Sequence, residues 1–301
     1  MASIVHRNNR FLVVHYEHDI SGKNKQKWET YRTLADAKRR KAEIERRQEL
    51  GVMNVPTCKT VADLLKEYVS LYGTTTWSLS VYSSNTRLIR NYINPVIGKM
   101  DLCEISPRIL EKYYQKLLQT PAVSRITQKR GTKDTGLVQP ATVRKIHSLL
   151  RSAFNQAVKW ELMEKNPAIH ATVPKAVPQK REVWDAETIF LALDVCDDAR
   201  LKLAINLSFA CSMRIGEILG LTWDSIDISP KSIAGGTASI MITKELQRVD
   251  KTAMKSLEQK DVLFIFPQSS KRNTSMLVLK KPKTESSVRK VFIPATVAHQ
   301  L

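Results

Sequence analysis

The 301-residue chain has 48 Lys and Arg residues against 29 Asp and Glu residues, a formal net charge of +19 with a pI near 9.8. Its hydrophobic fraction of 43% is sufficient for folded cores. No segment has the roughly 18 uninterrupted apolar residues of a membrane-spanning helix, which argues against a helical membrane protein. Such a basic excess predicts a polyanionic partner, with nucleic acid favoured over a membrane surface. A basic but otherwise ordinary soluble protein is the alternative.

The first residues, Met1–Arg7, lack an apolar core of signal-peptide length, so we expect a cytoplasmic protein. The cysteines occur singly, without the spacing of metal-ligand or redox motifs. They are Cys58, Cys103, Cys196 and Cys211. We therefore expect reduced structural thiols, no metal site and no cofactor.

Three short strands are predicted between residues 3 and 31, separated by turns at Asn8-Asn9 and at residues 18–24. Thr33 and Asp36 resemble a capping box, which begins a following basic helix. This pattern predicts a small three-stranded sheet with one helix covering one face.

The other face of this sheet is predicted to carry Lys and Arg beside aromatic residues such as Tyr16 and Trp28. A three-stranded sheet can enter a major groove and combine phosphate contacts with base contacts. We therefore predict a DNA-binding domain over residues 1–50, with Lys25 and Lys27 at the interface. A structural sheet with solvated charges is the alternative.

Residues 59–171 are predicted to form a helical bundle, because apolar residues recur at three- and four-residue spacing in four segments. The polar segment Arg125–Gln139 is predicted to be a loop. A bundle alone does not indicate DNA binding, but basic residues lie where helices could contact a phosphate backbone. These are Arg87, Arg90, Arg144 and Lys145.

A linker is predicted over Thr172–Arg181, which contains two prolines and three basic residues and is extended rather than packed. In a clamp-shaped DNA-binding protein this linker would cross the DNA backbone between two domains. Lys180 and Arg181 would then contact DNA.

The last domain is organised around Arg214. The mostly apolar run Leu201–Ala210 ends at Cys211-Ser212, and Arg214 begins a new helical pattern with Glu217 three positions on. A guanidinium between two buried helices is costly unless a partner or an anion meets it. Glu217 can hold the guanidinium from behind, so the front would face an anion, with phosphate favoured. An Arg214–Glu217 ion pair without a ligand is the alternative.

Strands are predicted in the rest of this domain. Ser239–Leu246 alternates in polarity, and Met276–Lys280 is expected to pair with Val288–Ile293 as a hairpin across Lys281–Ser287. The segment from Asp250 to Arg272 is predicted to be an insertion, with a strand at Val262–Phe266.

Two upstream parts of the chain resemble the tyrosine recombinase (phage integrase) family. The N-terminal sheet and helix resemble its arm-binding, AP2-like domain. Tyr92–Leu102 resembles the hinge between the second and third helices of its core-binding domain, and Ala153–Val158 with Lys165–Ala168 resembles the last core-binding helix and its exit.

The last domain carries the more specific resemblance. Met213–Trp223 resembles the family's box with the first catalytic arginine, and Lys283–Pro294 resembles its β-hairpin lysine segment. By this resemblance, Arg214 would bind the scissile phosphate, Glu217 would support Arg214, and Lys283 would be the general acid on the leaving 5′-oxygen. No metal would be needed. A solvated turn lysine is the alternative for Lys283.

The family completes this site with a His-x-x-Arg box and a tyrosine nucleophile. Within residues 1–301 no tyrosine follows Tyr114 and no His-x-x-Arg follows Arg214. A site without its nucleophile cannot form a phosphotyrosine, so these residues are expected to bind DNA without recombining it.

The predicted fold class is α+β, mainly α. It has a sheet-plus-helix domain (residues 1–50), a helical core-binding domain (59–171) and part of an α/β catalytic domain (183–301). The resemblance implies a site-specific recombinase of a phage or conjugative transposon, truncated in its catalytic domain, that binds duplex DNA at arm and core sites for integration and excision. It also implies a tetramer on DNA and an excisionase or host DNA-bending partner. A truncated, inactive protein that occupies integrase sites is the alternative.

Overall fold

The computed structural model describes residues 2–7, 9–18, 24–49, 58–123, 136–176, 182–268, 270 and 272–301. Its N-terminal part is an antiparallel sheet of order β1-β2-β3 with one helix, as predicted. The elements are β1 (Ser3–Arg7), β2 (Arg10–His18), β3 (Asn24–Tyr31) and α1 (Leu34–Glu49). The Thr33 hydroxyl accepts a hydrogen bond from the Asp36 amide at 3.1 Å, which caps α1. Val13, Ala37 and Ile44 form the small core between sheet and helix.

The middle of the chain is helical, as its apolar spacing predicts. Its helices are α2 (Val61–Glu67, continued by a π-helical turn Tyr68–Gly73 and by Thr74–Thr76), α3 (Leu79–Leu88, continued by a π-helical turn Ile89–Ile93 and by Asn94–Ile97), α4 (Pro107–Leu118) and α5 (Pro140–Lys159). Thr60 and Asp63 form a capping box at the start of α2. Proline occupies the first position of α4 and α5, where no N–H is needed. Tyr114 and Phe154 are fully buried in the shared core.

The last part contains two further three-stranded antiparallel sheets, of order β4-β5-β9 and β6-β8-β7. Its helices are α6 (Ala186–Asp194), α7 (Ala199–Cys211), α8 (Ile215–Leu219), α9 (Pro230–Ala234), α10 (Lys251–Ser256) and α11 (Ala295–Ala298). Its strands are β4 (Ile226–Asp227), β5 (Ser239–Ile242), β6 (Glu245–Asp250), β7 (Val262–Ile265), β8 (Ser275–Lys280) and β9 (Arg289–Phe292). The predicted fold class is confirmed, and so is the strand predicted at 262–266. No described helix has the length and apolarity to cross a membrane.

The predicted hairpin between the last two strands is wrong. β8 pairs with β6 and β7, whereas β9 pairs with β5. The strand predicted at Ser239–Leu246 is likewise divided into β5 and β6, which belong to different sheets. Pro282 has no N–H to donate to a ladder, so the chain leaves one sheet after β8 and enters the other at β9. Residues 281–288 form the loop between them.

The β6-β8-β7 sheet and α10 pack against the helical middle of the chain. Val249, Met254 and Val278 are buried in the same apolar cluster as the helices. The Lys260 Nζ donates a hydrogen bond to the Thr75 carbonyl oxygen at 2.9 Å. The segment predicted to be an insertion therefore joins the Arg214 region to the helical bundle.

Candidate phosphate-binding site

Arg214 lies at the N-terminus of α8, immediately after a reversal of the chain. Ser212 ends α7 in the left-handed conformation (φ 50°, ψ 36°), a region that glycine occupies at lower cost than serine. Met213 is buried, and Arg214 takes the extended conformation of a helix-capping residue. This turn directs the arginine outward while the apolar residue before it remains anchored in the core.

The Arg214 side chain is held by Glu217, as predicted. Arg214 Nη1 donates to Glu217 Oε1 at 2.9 Å, and the Arg214 amide donates to Glu217 Oε2 at 3.0 Å. The expected burial of the guanidinium is wrong, because the Arg214 side chain is 71% exposed and it is Glu217 that is buried, at 3%. The reason is that the turn at Ser212 places Arg214 at the helix end and not between α7 and α8. The guanidinium is therefore accessible to an anion from solvent.

Arg289, at the start of β9, is a second cation on the same carboxylate. Its Nη1 donates to Glu217 Oε1 at 3.0 Å and its Nη2 donates to Oε2 at 2.8 Å. The Arg289 hydrogen bond is the largest influence on Glu217; with those from Arg214 it outweighs burial and lowers the pKa of Glu217 to about 2. The same contact raises the pKa of Arg289. Glu217 is thus ionised at any neutral pH.

Two glycines, Gly216 in α8 and Gly220 directly after it, allow the strand β6 to cross closely behind this cluster. A Cβ atom on Gly220 would lie 2.8 Å from the Leu246 nitrogen and 2.9 Å from Glu245 backbone atoms. A Cβ atom on Gly216 would lie 3.2 Å from the Leu246 carbonyl oxygen. Only glycine fits at position 220 without moving β6, so the helix that carries Glu217 is seated directly on the second sheet.

Lys283 lies on the loop between β8 and β9 and is exposed. It lines a cleft of about 420 Å³ together with Lys244, Lys281 and Leu263. Among the described residues, no ion pair involves Lys283. Lys280, in contrast, is buried and pairs with Glu245 at 3.1 Å. Exposure therefore leaves Lys281 and Lys283 as the candidate proton donors of this segment.

The structure brings two of the four predicted helical DNA contacts to one cleft. Arg144 and Lys145 of α5 line a groove of about 380 Å³ facing α3, with Ser84, Asn85 and Ser148 among its other lining residues. Arg87 lies on α3 and Arg90 lies on its π-helical turn, but neither lines this groove. Lys180 and Arg181 lie outside the described residues.

The prediction that one face of the N-terminal sheet carries basic residues beside aromatic residues is only partly correct. Tyr16 and Trp28 are exposed on the face opposite α1. Lys27 pairs with His15 and shares the helix-covered face with Glu29, because neighbouring residues of a strand point to opposite faces. Lys25 pairs with Glu17 in the same ladder. Two exposed arginines, Arg7 and Arg10, pair across β1 and β2 and lie on the same face as Tyr16 and Trp28. The alternation of side chains along the strands could have indicated this placement.

Comparison with known proteins finds similarity to integrases and tyrosine recombinases. Residues 60–118 match the family profile described as phage integrase, N-terminal SAM-like domain. A tyrosine recombinase XerC-like protein of Caldanaerobacter subterraneus subsp. tengcongensis is 26% identical over 219 residues, 70% of this chain and 46% of that protein. An integrase of Saccharopolyspora erythraea is 23% identical over 192 residues, 63% of this chain and 36% of that protein. These relatives are tyrosine recombinases and integrases, and this chain is similar to them.

Solved structures show a similarity at the level of the fold. The Tn1549 transposon integrase in complex with a circular intermediate DNA has a TM-score of 0.57 and 15% identity, over 81% of this chain and 64% of that chain. A second complex of the same integrase with such DNA has a TM-score of 0.58 at 16% identity, over the same shares. The chain spans about half the length, or less, of the curated relatives named above.

Proposed function

We propose that this chain is the DNA-binding and phosphate-binding part of a site-specific recombinase that integrates and excises a mobile element. The observation that carries the proposal is the exposed Arg214 guanidinium, fixed from behind by the buried Glu217. The similarity to tyrosine recombinases and integrases supports a DNA phosphodiester as the anion. A cytoplasmic location follows from this substrate.

Arg214 would act on the scissile phosphate. Its Nη1 is engaged by Glu217 and its side chain is largely exposed, which leaves further N–H groups to donate to two phosphate oxygens. Such a bidentate contact stabilises the charge that accumulates on the equatorial oxygens during phosphoryl transfer. Glu217 contributes by fixing the guanidinium before DNA binds.

Lys283 would supply the proton for the leaving group. During cleavage the bond between phosphorus and the 5′-oxygen breaks, and Lys283 Nζ would transfer its proton to that oxygen. The attacking tyrosine and the His-x-x-Arg box of the family would come from sequence outside residues 1–301, since no tyrosine follows Tyr114. Reading the gene beyond codon 301 tests this directly.

The α3–α5 groove would hold the DNA backbone. Arg144 and Lys145 line it together with serine and asparagine side chains, a combination suited to phosphate oxygens. Assembly as a tetramer, and help from an excisionase or a host DNA-bending protein, are further parts of this proposal.

The test is duplex affinity as a function of salt concentration, measured by fluorescence anisotropy. Each lost phosphate contact lowers the slope of log K against log salt by about 0.9, so the double variant Arg144→Ala/Lys145→Ala should lower it by about 2. The matched control Lys112→Ala/Lys116→Ala removes the same charge from α4, outside the groove, and should change the slope by much less. Equal effects of both pairs, or a flat salt response of the unsubstituted chain, would exclude the groove as the DNA site.

A second assay addresses the chemistry. Residues 1–301 incubated with a nicked duplex should form no covalent adduct that survives SDS, because they contain no tyrosine after Tyr114 that could be the family's nucleophile. An adduct would show that another side chain in these residues is the nucleophile.

A further inference from the structure

We propose that Arg289 is a positioning residue whose positive charge allows the Glu217-held Arg214 to attract a phosphate. The inference rests on the proposed function, because it concerns the same phosphate. It assigns a role to an arginine that lies 72 positions from Glu217 in the sequence.

The contacts of Arg289 exclude it as a phosphate ligand itself. Both of its terminal nitrogens donate to Glu217, and they also contact the carbonyl oxygens of Ser287 at 3.3 Å and Ser212 at 3.5 Å. Its side chain is 31% exposed, less than half the value for Arg214. Arg289 would have to abandon a buried carboxylate to reach DNA. A buried carboxylate left with fewer partners is costly, so Arg289 stays where it is.

The charge balance of the cluster explains why a second arginine is needed. Arg214 and Glu217 alone would form a neutral pair, and the carboxylate directly behind the guanidinium would repel an approaching phosphate. Arg289 neutralises that carboxylate, so the three groups together carry one net positive charge. With Arg289 in place Glu217 remains ionised, because the hydrogen bond from Arg289 is the largest influence on its pKa and helps to lower it to about 2.

Arg289 also joins the two segments that carry the proposed chemistry. Its contact with the Ser212 carbonyl oxygen reaches the turn before Arg214. Its contact with the Ser287 carbonyl oxygen reaches the end of the loop that carries Lys283. A single side chain therefore ties the phosphate-binding arginine to the loop of the proposed general acid.

The experiment measures anion binding at Arg214 in the whole chain. Inorganic sulfate is the probe, because its charge is constant near neutral pH, and the signal is the shift of the Arg214 Nε–H resonance in protein labelled with ¹⁵N-arginine. Arg289→Met should weaken sulfate binding on the order of tenfold, the effect expected of one unit charge lost close to the anion. Arg289→Lys, which keeps the charge, should retain most of the affinity.

The deciding variant is Glu217→Gln/Arg289→Met, which removes both charges and restores one net positive charge. If the role is electrostatic, this double variant binds sulfate more tightly than Arg289→Met alone. If Arg289 only supports the fold, the double variant binds as weakly as the single one or more weakly, and the proposal is overturned. Normal sulfate affinity of Arg289→Met also overturns it.

Two controls keep the outcomes separate. If Arg289→Met does not fold by circular dichroism, the sulfate affinity of the double variant is compared with that of Arg289→Lys. Similar affinities support the electrostatic role, and much weaker binding by the double variant overturns it. The contribution of Arg144 and Lys145 to duplex affinity, measured as the loss caused by Arg144→Ala/Lys145→Ala in each background, should be the same in all variants, because those residues lie on α5. Failure of the unsubstituted chain to bind duplex would count against the proposed function, whereas the sulfate series judges Arg289 alone.

Discussion

Replacement of Glu29 by glutamine should loosen the N-terminal sheet and its attachment to the helical bundle. Glu29 is only 8% exposed and accepts hydrogen bonds from Arg40 at 3.0 and 3.2 Å and from Tyr31 at 2.5 Å. It also pairs with Lys59, at the start of the bundle, at 3.1 Å. This carboxylate is therefore shared by the sheet, by α1 and by the next part of the chain.

The magnitude follows from the pKa of Glu29. Burial alone would raise that pKa, but the hydrogen bonds from Arg40, Tyr31 and Lys59 outweigh burial and lower it from 4.5 to about 2. Because the folded-state pKa lies below the unfolded value, the stabilisation is complete above about pH 4.5 and is lost as the pH falls toward 2. A shift of this size corresponds to about 3 kcal/mol at neutral pH, so Glu29→Gln should cost about 2–3 kcal/mol.

Hydrogen exchange measured by mass spectrometry is the suitable assay, because it reports opening of each segment separately. At pH 7 the peptides covering β2, β3 and α1 should exchange on the order of 30- to 100-fold faster in Glu29→Gln. The control Glu45→Gln removes a carboxylate from an exposed pair with Lys41 at 3.6 Å and should cost less than about 0.5 kcal/mol. If the two variants exchange alike, the shared-carboxylate reasoning is refuted.

Three further predictions concern the phosphate site. Gly220→Ala should destabilise α8 against β6 by about 1–3 kcal/mol, seen as faster hydrogen exchange there, and an unchanged rate would contradict the close approach. Ser212→Gly should stabilise the α7–α8 turn by about 1 kcal/mol in thermal unfolding, whereas Ser208→Gly within α7 should destabilise by about 0.5–1 kcal/mol. In a recombinase completed with its tyrosine, Lys283→Ala should slow cleavage about 10²- to 10⁴-fold and Lys281→Ala much less. A 5′-thio leaving group, which needs no proton, should rescue Lys283→Ala, and an absence of rescue would exclude the general-acid role.

Local relationships in the sequence predicted a large part of this site. Arg214 and Glu217 are three positions apart at a helix start, so their contact follows from helix geometry alone. The exposure of Arg214 could not be predicted in this way, because it depends on the left-handed turn at Ser212. Arg289 was visible only as part of a family motif. Predicting its contact with Glu217 would require knowing that β9 pairs with β5.

The errors in the strands have a common physical cause. Periodicity identified β8 and β9 but could not show that each pairs with a different strand, since pairing depends on residues distant in the sequence. In the N-terminal sheet, Lys27 and Trp28 are neighbours in sequence and therefore lie on opposite faces. Strict alternation would have placed Arg7 and Arg10, and not Lys27, beside the exposed aromatic residues.

The most direct test of the central claim is a pairwise map of Arg214 against individual DNA phosphates. A duplex selected by the chain from a random pool would be prepared with single neutral methylphosphonate linkages, and the affinity of each would be measured for the unsubstituted chain and for Arg214→Ala. If Arg214 binds one phosphate, neutralising that phosphate weakens the unsubstituted chain but has no further effect on Arg214→Ala, while other positions affect both proteins equally. Identical sensitivity of the two proteins at every position would contradict the claim that Arg214 contacts the DNA backbone.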